Sequence, residues 1–162
     1  MHFIFAAAFF FQASAAADTT ILHGARGPAF APDGRLAISV DGDLFVQQSA
    51  GGQDAWRRLT SGIAWDRDPA WSRDGSSIVF SSDRSGRYAL WRVKVNADGT
   101  ADTPERITNS SEPETAPTLA PDGSIAFVRG EANSSRIWIR ATDGTERRFD
   151  SRELVEVDPA FS

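Results

Sequence analysis

The chain has 162 residues, enough for one ordinary domain. With 41% hydrophobic and 24% charged residues, its composition is globular rather than disordered or fibrous. A formal net charge of −5 and the lack of any basic stripe argue against the clustered Lys and Arg that phosphate contacts require, so nucleic acid is not an expected partner. There is no cysteine, so disulfides cannot hold the fold and its stability must come from the core or from sheet closure.

No Asp, Glu, Lys or Arg precedes Asp18. Residues 1–17, MHFIFAAAFFFQASAAA, read as a signal peptide, with Phe3 to Phe11 as the apolar stretch and Ala15-Ala16-Ala17 as the small-residue cleavage site. The apolar run is shorter than the roughly 20 residues that span a bilayer. Its leading segment lacks the usual Lys or Arg, and the alternative reading is a buried N-terminal helix. The signal peptide predicts a periplasmic or secreted location, with the membrane involved only through export.

The rest of the chain repeats itself. Pro28-Ala29-Phe30-Ala31-Pro32-Asp33-Gly34 returns as Pro69-Ala70-Trp71-Ser72-Arg73-Asp74-Gly75 and as Pro117-Thr118-Leu119-Ala120-Pro121-Asp122-Gly123, and a further copy starts at Pro159-Ala160-Phe161-Ser162. The copies are 41, 48 and 42 residues apart. Each predicts a first strand with a large apolar residue (Phe30, Trp71, Leu119) and a tight Asp-Gly turn whose two residues tolerate positive φ. A second strand follows (Leu36-Ala37-Ile38, Ile78-Val79-Phe80, Ile125-Ala126-Phe127), then a third around Phe45, Trp91 or Trp138. After another Gly turn comes a polar fourth strand (Arg57-Arg58-Leu59-Thr60, Glu105-Arg106-Ile107-Thr108, Arg147-Arg148-Phe149-Asp150). Apolar residues recur at intervals of two, and Gly or Pro interrupts every segment, so helices are not expected.

This pattern predicts an all-β chain, a β-propeller of four-stranded antiparallel blades. Residues 28–68, 69–116 and 117–158 form three blades, and 159–162 start a truncated fourth. Residues 18–27 are an N-terminal segment in which Thr20-Ile21-Leu22-His23 is a candidate ring-closing strand. Three blades cannot close a ring, so the remainder of the propeller is expected beyond Ser162.

At these residues the chain resembles the TolB-like propeller repeat, Pro-x-Trp-Ser-Pro-Asp-Gly followed by Ile-x-Phe and Ser-Asp-Arg-x-Gly. The second copy matches best, with Trp71-Ser72, Asp74-Gly75, Ile78-Val79-Phe80 and Ser82-Asp83-Arg84-Ser85-Gly86. It departs at Arg73, where the pattern has Pro; the third copy has Leu119 for the aromatic and Val128-Arg129-Gly130 for Ser-Asp-Arg. The resemblance implies a propeller that binds proteins in the cell envelope. It equally implies the N-terminal propeller of a prolyl-oligopeptidase-type peptidase or an exported amidohydrolase, whose chemistry lies in another domain.

No catalytic set is legible. The mature chain has one histidine, His23, and no Gly-x-Ser-x-Gly elbow, so no serine triad can be assembled. One histidine cannot supply an amidohydrolase metal site either, and isolated Asp-Gly pairs are turn formers rather than calcium loops. Neither metal nor cofactor is predicted. Trp71, Trp91 and Trp138 hold repeat positions and are expected to pack between blades, as are Phe30 and Leu119. Trp65 lies off those registers, in the segment Ser61-Gly62-Ile63-Ala64-Trp65-Asp66-Arg67-Asp68 joining an outer strand to the next inner one. Trp65, Asp66, Arg67 and Asp68 are the candidate contact residues for a protein or peptide, the alternative being that Trp65 is tucked between blades. Glu112 and Glu114, then Glu153, Glu156 and Asp158, occupy the equivalent loops. They would either draw cationic partners to one channel mouth or be solvated loop charges.

Overall fold

The structure, a computed structural model, describes residues 24–47, 56–131 and 133–149. The signal peptide, His23 and the ring-closing strand fall outside these residues, as do Glu153, Glu156, Asp158 and the last copy of the repeat.

The period-two pattern forms twelve strands in three sheets, with no helix among the described residues. The first sheet holds β1 (Arg26–Phe30), β2 (Leu36–Val40), β3 (Asp43–Gln47) and β4 (Trp56–Arg58). The second holds β5 (Asp66–Trp71), β6 (Ser77–Ser82), β7 (Ala89–Lys94) and β8 (Glu105–Arg106). The third holds β9 (Glu114–Leu119), β10 (Ile125–Arg129), β11 (Arg136–Arg140) and β12 (Glu146–Arg148). Each sheet is antiparallel with its strands in chain order. The first strands β1, β5 and β9 lie side by side at the inner edge. The fourth strands are the outer, mostly exposed ones.

Sheets pack face to face. Ala37, Leu44, Val46 and Leu59 of the first sheet meet Trp71, Ile78 and Phe80 of the second. Val79 and Leu90 on the second sheet's opposite face meet Ile125 and Phe127 of the third. A sheet covered on both sides needs apolar residues on both faces, which is why the middle strand β6 reads Ile78-Val79-Phe80 without alternation. Trp91 and Trp138 pack against these clusters, as expected. Phe30 does not: it is 72% exposed. Its counterpart Trp71 is covered by the first sheet, whereas no described sheet lies over Phe30.

The Asp-Gly turns differ from the expected pattern in one respect. Glycines such as Gly34 (φ 87°) and Gly123 (φ 88°) have positive φ, but Asp33, Asp74 and Asp122 do not. In the first sheet, Gly34 N–H bonds Ala31 O while Ala31 N–H bonds Arg35 O, which is a three-residue loop with glycine at the left-handed position. The aspartate works through its carboxylate, accepting the N–H two residues on, from Arg35, Ser76 or Ser124. Only Asp41-Gly42, between β2 and β3, has both residues at positive φ (50° and 85°), as a two-residue hairpin requires.

Asp74 takes this furthest. The Ser72 hydroxyl donates to it at 2.6 Å, and Ser76 donates both its N–H and its hydroxyl. These bonds, the Ser72 one foremost, lower its pKa from 3.8 to about 2. A pKa depressed by folding means the ionised turn contributes stability above 3.8 that is lost as pH falls through about 2. A carbon-13 NMR titration of the Asp74 carboxyl should have its midpoint near 2. A midpoint at the ordinary 3.8 would mean the three bonds do not persist in solution.

Candidate functional site

The inner edge is built from the residue before each repeat proline. Gly27, Asp68 and Ala116 precede Pro28, Pro69 and Pro117 and have φ of 56°, 54° and 50°. Each marks a register shift between the first and second strands of its sheet. Proline has no N–H to give the neighbouring strand, so the pairing skips a residue there and the strand bulges. Left-handed conformations cost Asp and Ala on the order of 1 kcal/mol each, and such strain concentrates where a surface is being shaped for use.

The bulges lean on one another. A Cβ on Gly27 would come within 3.3 Å of Pro69 Cδ, so glycine lets the first bulge close onto the second. Asp68 Oδ2 accepts the Ser81 hydroxyl at 3.2 Å within its own sheet and Ala116 N–H at 3.4 Å from the third. Arg67 Nε lies 3.4 Å from the same carboxylate oxygen.

At the end where the inner strands begin, a cavity of about 450 Å³ opens between the first and second sheets. Arg26, Asp41, Trp65, Arg67, Asp68 and Tyr88 line it. The Arg67 guanidinium stacks over Tyr88, 4.1 Å from the ring centroid, which fixes its position. Gly42 supports the rim from below: Asp66 N–H donates to Gly42 O at 2.8 Å, and a Cβ there would sit 3.2 Å from Ala64 O. The Ser82-Asp83-Arg84 segment clamps the rim from the side. Asp83 accepts Trp65 N–H at 2.8 Å, and Arg84 donates to Asp66 Oδ2 at 2.6 Å.

The four residues singled out by sequence therefore separate. Trp65 is 59% exposed and stands at the rim, not between sheets, beside the fully exposed Ile63. Arg67 and Asp68 line the cavity, with side chains 45% and 36% exposed. Asp66 is 1% exposed and consumed by Arg84, so it holds the loop and offers no contact surface. These last three belong to β5 rather than to a loop.

Glu114 is the larger correction. Expected in a solvated loop at the mouth, it is wholly buried as the first residue of β9. Its Oε1 accepts Arg129 Nε at 2.9 Å, and its Oε2 accepts the buried Thr108 hydroxyl. Glu112 stays exposed. The cavity wall carries Arg26 and Arg67 against Asp41 and Asp68, a balance that gives no net preference for a cation. Tyr88 and Asp41 were missed by sequence reasoning. Tyr88 is the chain's one tyrosine, immediately before a third strand, and Asp41-Gly42 is a further Asp-Gly pair outside the repeat.

Among the described residues no group of three His, Cys, Asp or Glu could hold a metal ion. What the arrangement offers is a positioned guanidinium, a carboxylate and one exposed aromatic side chain, Trp65, around a cleft.

Three four-stranded antiparallel sheets, stacked about a shared inner edge without closing, define a β-propeller. The chain belongs to the TolB beta propeller domain family, whose model matches residues 12–162. It is 38% identical to the Tol-Pal system protein TolB of Anaeromyxobacter dehalogenans over 95 residues, 57% of this chain and 21% of that one. It is 29% identical to the uncharacterized peptidase YuxL of Bacillus subtilis over 152 residues, 86% of this chain and 22% of that one. Among solved structures, a TolB candidate from Agrobacterium tumefaciens superposes with a TM-score of 0.63 at 25% identity, covering 76% of this chain and 48% of that one. The chain thus spans about a fifth of these curated relatives and about half of that structure.

Proposed function

We propose that the chain is an exported scaffold that binds a protein or peptide partner at the mouth between its first two sheets and has no chemistry of its own. The observation supporting this is the exposed Trp65 at the rim of a cavity whose Arg67 is already positioned on Tyr88. A side chain ordered before binding loses little freedom on binding. Trp and Arg are the residues on which interface energy concentrates, and a guanidinium can donate to peptide carbonyls and carboxylates. Likeness to a Tol-Pal system protein agrees with an envelope partner and a periplasmic location.

A second reading is favoured by likeness to a peptidase over 86% of the chain. In it, these sheets belong to the N-terminal propeller of a larger exported hydrolase, and the same mouth gates substrate. A Gly-x-Ser-x-Gly with a later His, or a His-x-His, elsewhere in the gene product would select it.

Site-specific photocrosslinking tests the first reading. With benzoylphenylalanine at position 65, envelope extracts should yield a discrete crosslinked protein that disappears when Arg67→Ala is added. The same probe at Thr142, in a hairpin turn of the third sheet, is the control. If position 65 gives nothing that Thr142 does not, the mouth is not the binding surface.

A further inference from the structure

The two junctions between sheets carry the same polar lock, built with different carboxylates. In the second junction, Leu90 N–H donates to the Thr108 hydroxyl oxygen at 2.9 Å, and the Thr108 hydroxyl donates to Glu114 Oε2, six residues on. Arg129 Nε fills Oε1 at 2.9 Å, so both carboxylate oxygens have partners. In the first junction, Leu44 N–H donates to the Thr60 hydroxyl oxygen, again at 2.9 Å. Arg84 donates to Asp66 Oδ2 at 2.6 Å, stacked on Phe80 and Trp91 as Arg129 is on Phe127 and Trp138. Asp66 also stands six residues past its threonine, but it is one methylene shorter than Glu114. Its Oδ1 is buried and accepts nothing from the described residues, and the Thr60 hydroxyl donates to no described acceptor. A second carboxylate stands nearby. Asp43 precedes Leu44 where Ala89 precedes Leu90; its Oδ2 accepts Arg58 and its Oδ1 is likewise buried and unpaired.

We infer that the first junction binds one buried water molecule, which donates its two hydrogens to Asp66 Oδ1 and Asp43 Oδ1 and accepts the Thr60 hydroxyl. Existing bonds bring the three groups together. Asp66 N–H donates to Gly42 O at 2.8 Å, next to Asp43, and Arg58 bridges the Asp43 carboxylate to Thr60 O, 3.0 Å from its Nε. Two acceptors and one donor are the complement of a water making three hydrogen bonds, the usual number for a buried one. Without it, two carboxylate oxygens bear their desolvation cost unrelieved. Charge selects water over a metal ion: Arg58 and Arg84 already neutralise the two carboxylates, so a cation would add an uncompensated buried charge. Asp66 lies in β5 between Trp65 and Arg67, so the water ties the base of the mouth to the residue that ends the first sheet's outer segment.

A crystal structure of the full chain, at a resolution that orders solvent, tests this. One water is expected about 2.7–2.8 Å from Asp66 Oδ1, Asp43 Oδ1 and Thr60 Oγ1 together. No density there overturns the inference, as does density that touches only one of the three atoms. So do oxygen contacts of about 2.3–2.6 Å to several ligands, which would mark a metal ion. A measurement in solution takes the second junction as its template. Asp43→Ala combined with Asp66→Glu rebuilds the first lock in the pattern of Ala89, Thr108 and Glu114, with a direct Thr60 hydroxyl bond to the new carboxylate. Arg58 is half exposed and can turn to solvent when Asp43 is removed. Oxygen-17 relaxation dispersion of water should count one long-lived water fewer in this double variant than in the parent. Equal counts overturn the inference.

Discussion

Glu114→Ala is expected to destabilise the fold by about 3 kcal/mol, the lower end of what removing one partner of a buried ion pair costs. Glu114 has no exposed surface and Arg129 is 8% exposed, so the guanidinium left behind cannot turn to water. It is wedged over aromatic rings, 4.4 Å from the Trp138 centroid and 5.1 Å from that of Phe127. Glu146 still reaches it, which keeps the loss below the upper end of the range. The Thr108 hydroxyl also loses its acceptor, and the same oxygen receives Leu90 N–H in the second sheet, so the damage crosses the junction between sheets. Urea unfolding followed by tryptophan fluorescence measures this as a fall in midpoint. The paired replacement Glu114→Leu with Arg129→Met should recover much of the loss, since removing both charges strands neither. A single variant costing under about 1 kcal/mol would show that the pair is not buried as described.

Trp71→Ala should cost about 3–5 kcal/mol, as large aromatic truncations in cores do. The ring is 8% exposed, donates its Nε1–H to Ala29 O at 3.1 Å and lies 4.7 Å beneath the Arg35 guanidinium, which bonds Gly75 O at 2.6 Å. Removing it opens the junction of the first two sheets and releases Arg35. Trp65→Ala, at the rim, should stay within about 0.5 kcal/mol of the parent. The two tryptophans are six residues apart, and comparable losses from both would contradict the assignment of one to core and one to surface.

The architecture was readable because its signals are local. Asp-Gly turns, apolar residues at intervals of two and a recurring Pro-x-aromatic occupy a few adjacent residues each, so one strand and its turn can be recognised alone. The middle sheet was also announced by Ile78-Val79-Phe80, whose lack of alternation reflects two covered faces. Glu114 was not readable, because a glutamate followed by Thr, Ala and Pro looks like a solvated connection. Its partner Arg129 stands fifteen residues away and meets it only through the pairing of β9 with β10. Asp66 was misplaced for the same reason, its partner Arg84 lying eighteen residues on. Phe30 carried the correct repeat letter, but exposure depends on what stands in front of a sheet, which no single repeat encodes. Tyr88 became part of the site only through the stacking of Arg67, a contact between β5 and the residue before β7, two strands away in the sheet, that spacing does not reveal.

Strand order within each sheet follows chain order, and that has a consequence for how the array comes into being. Every sheet is finished by the time its fourth strand is available, and nothing synthesised later is needed to complete its ladder. Closing such short loops costs little entropy, so each sheet can condense as soon as its own residues are free. The chain can then grow like masonry, course upon course, each settled face being the bed for the next.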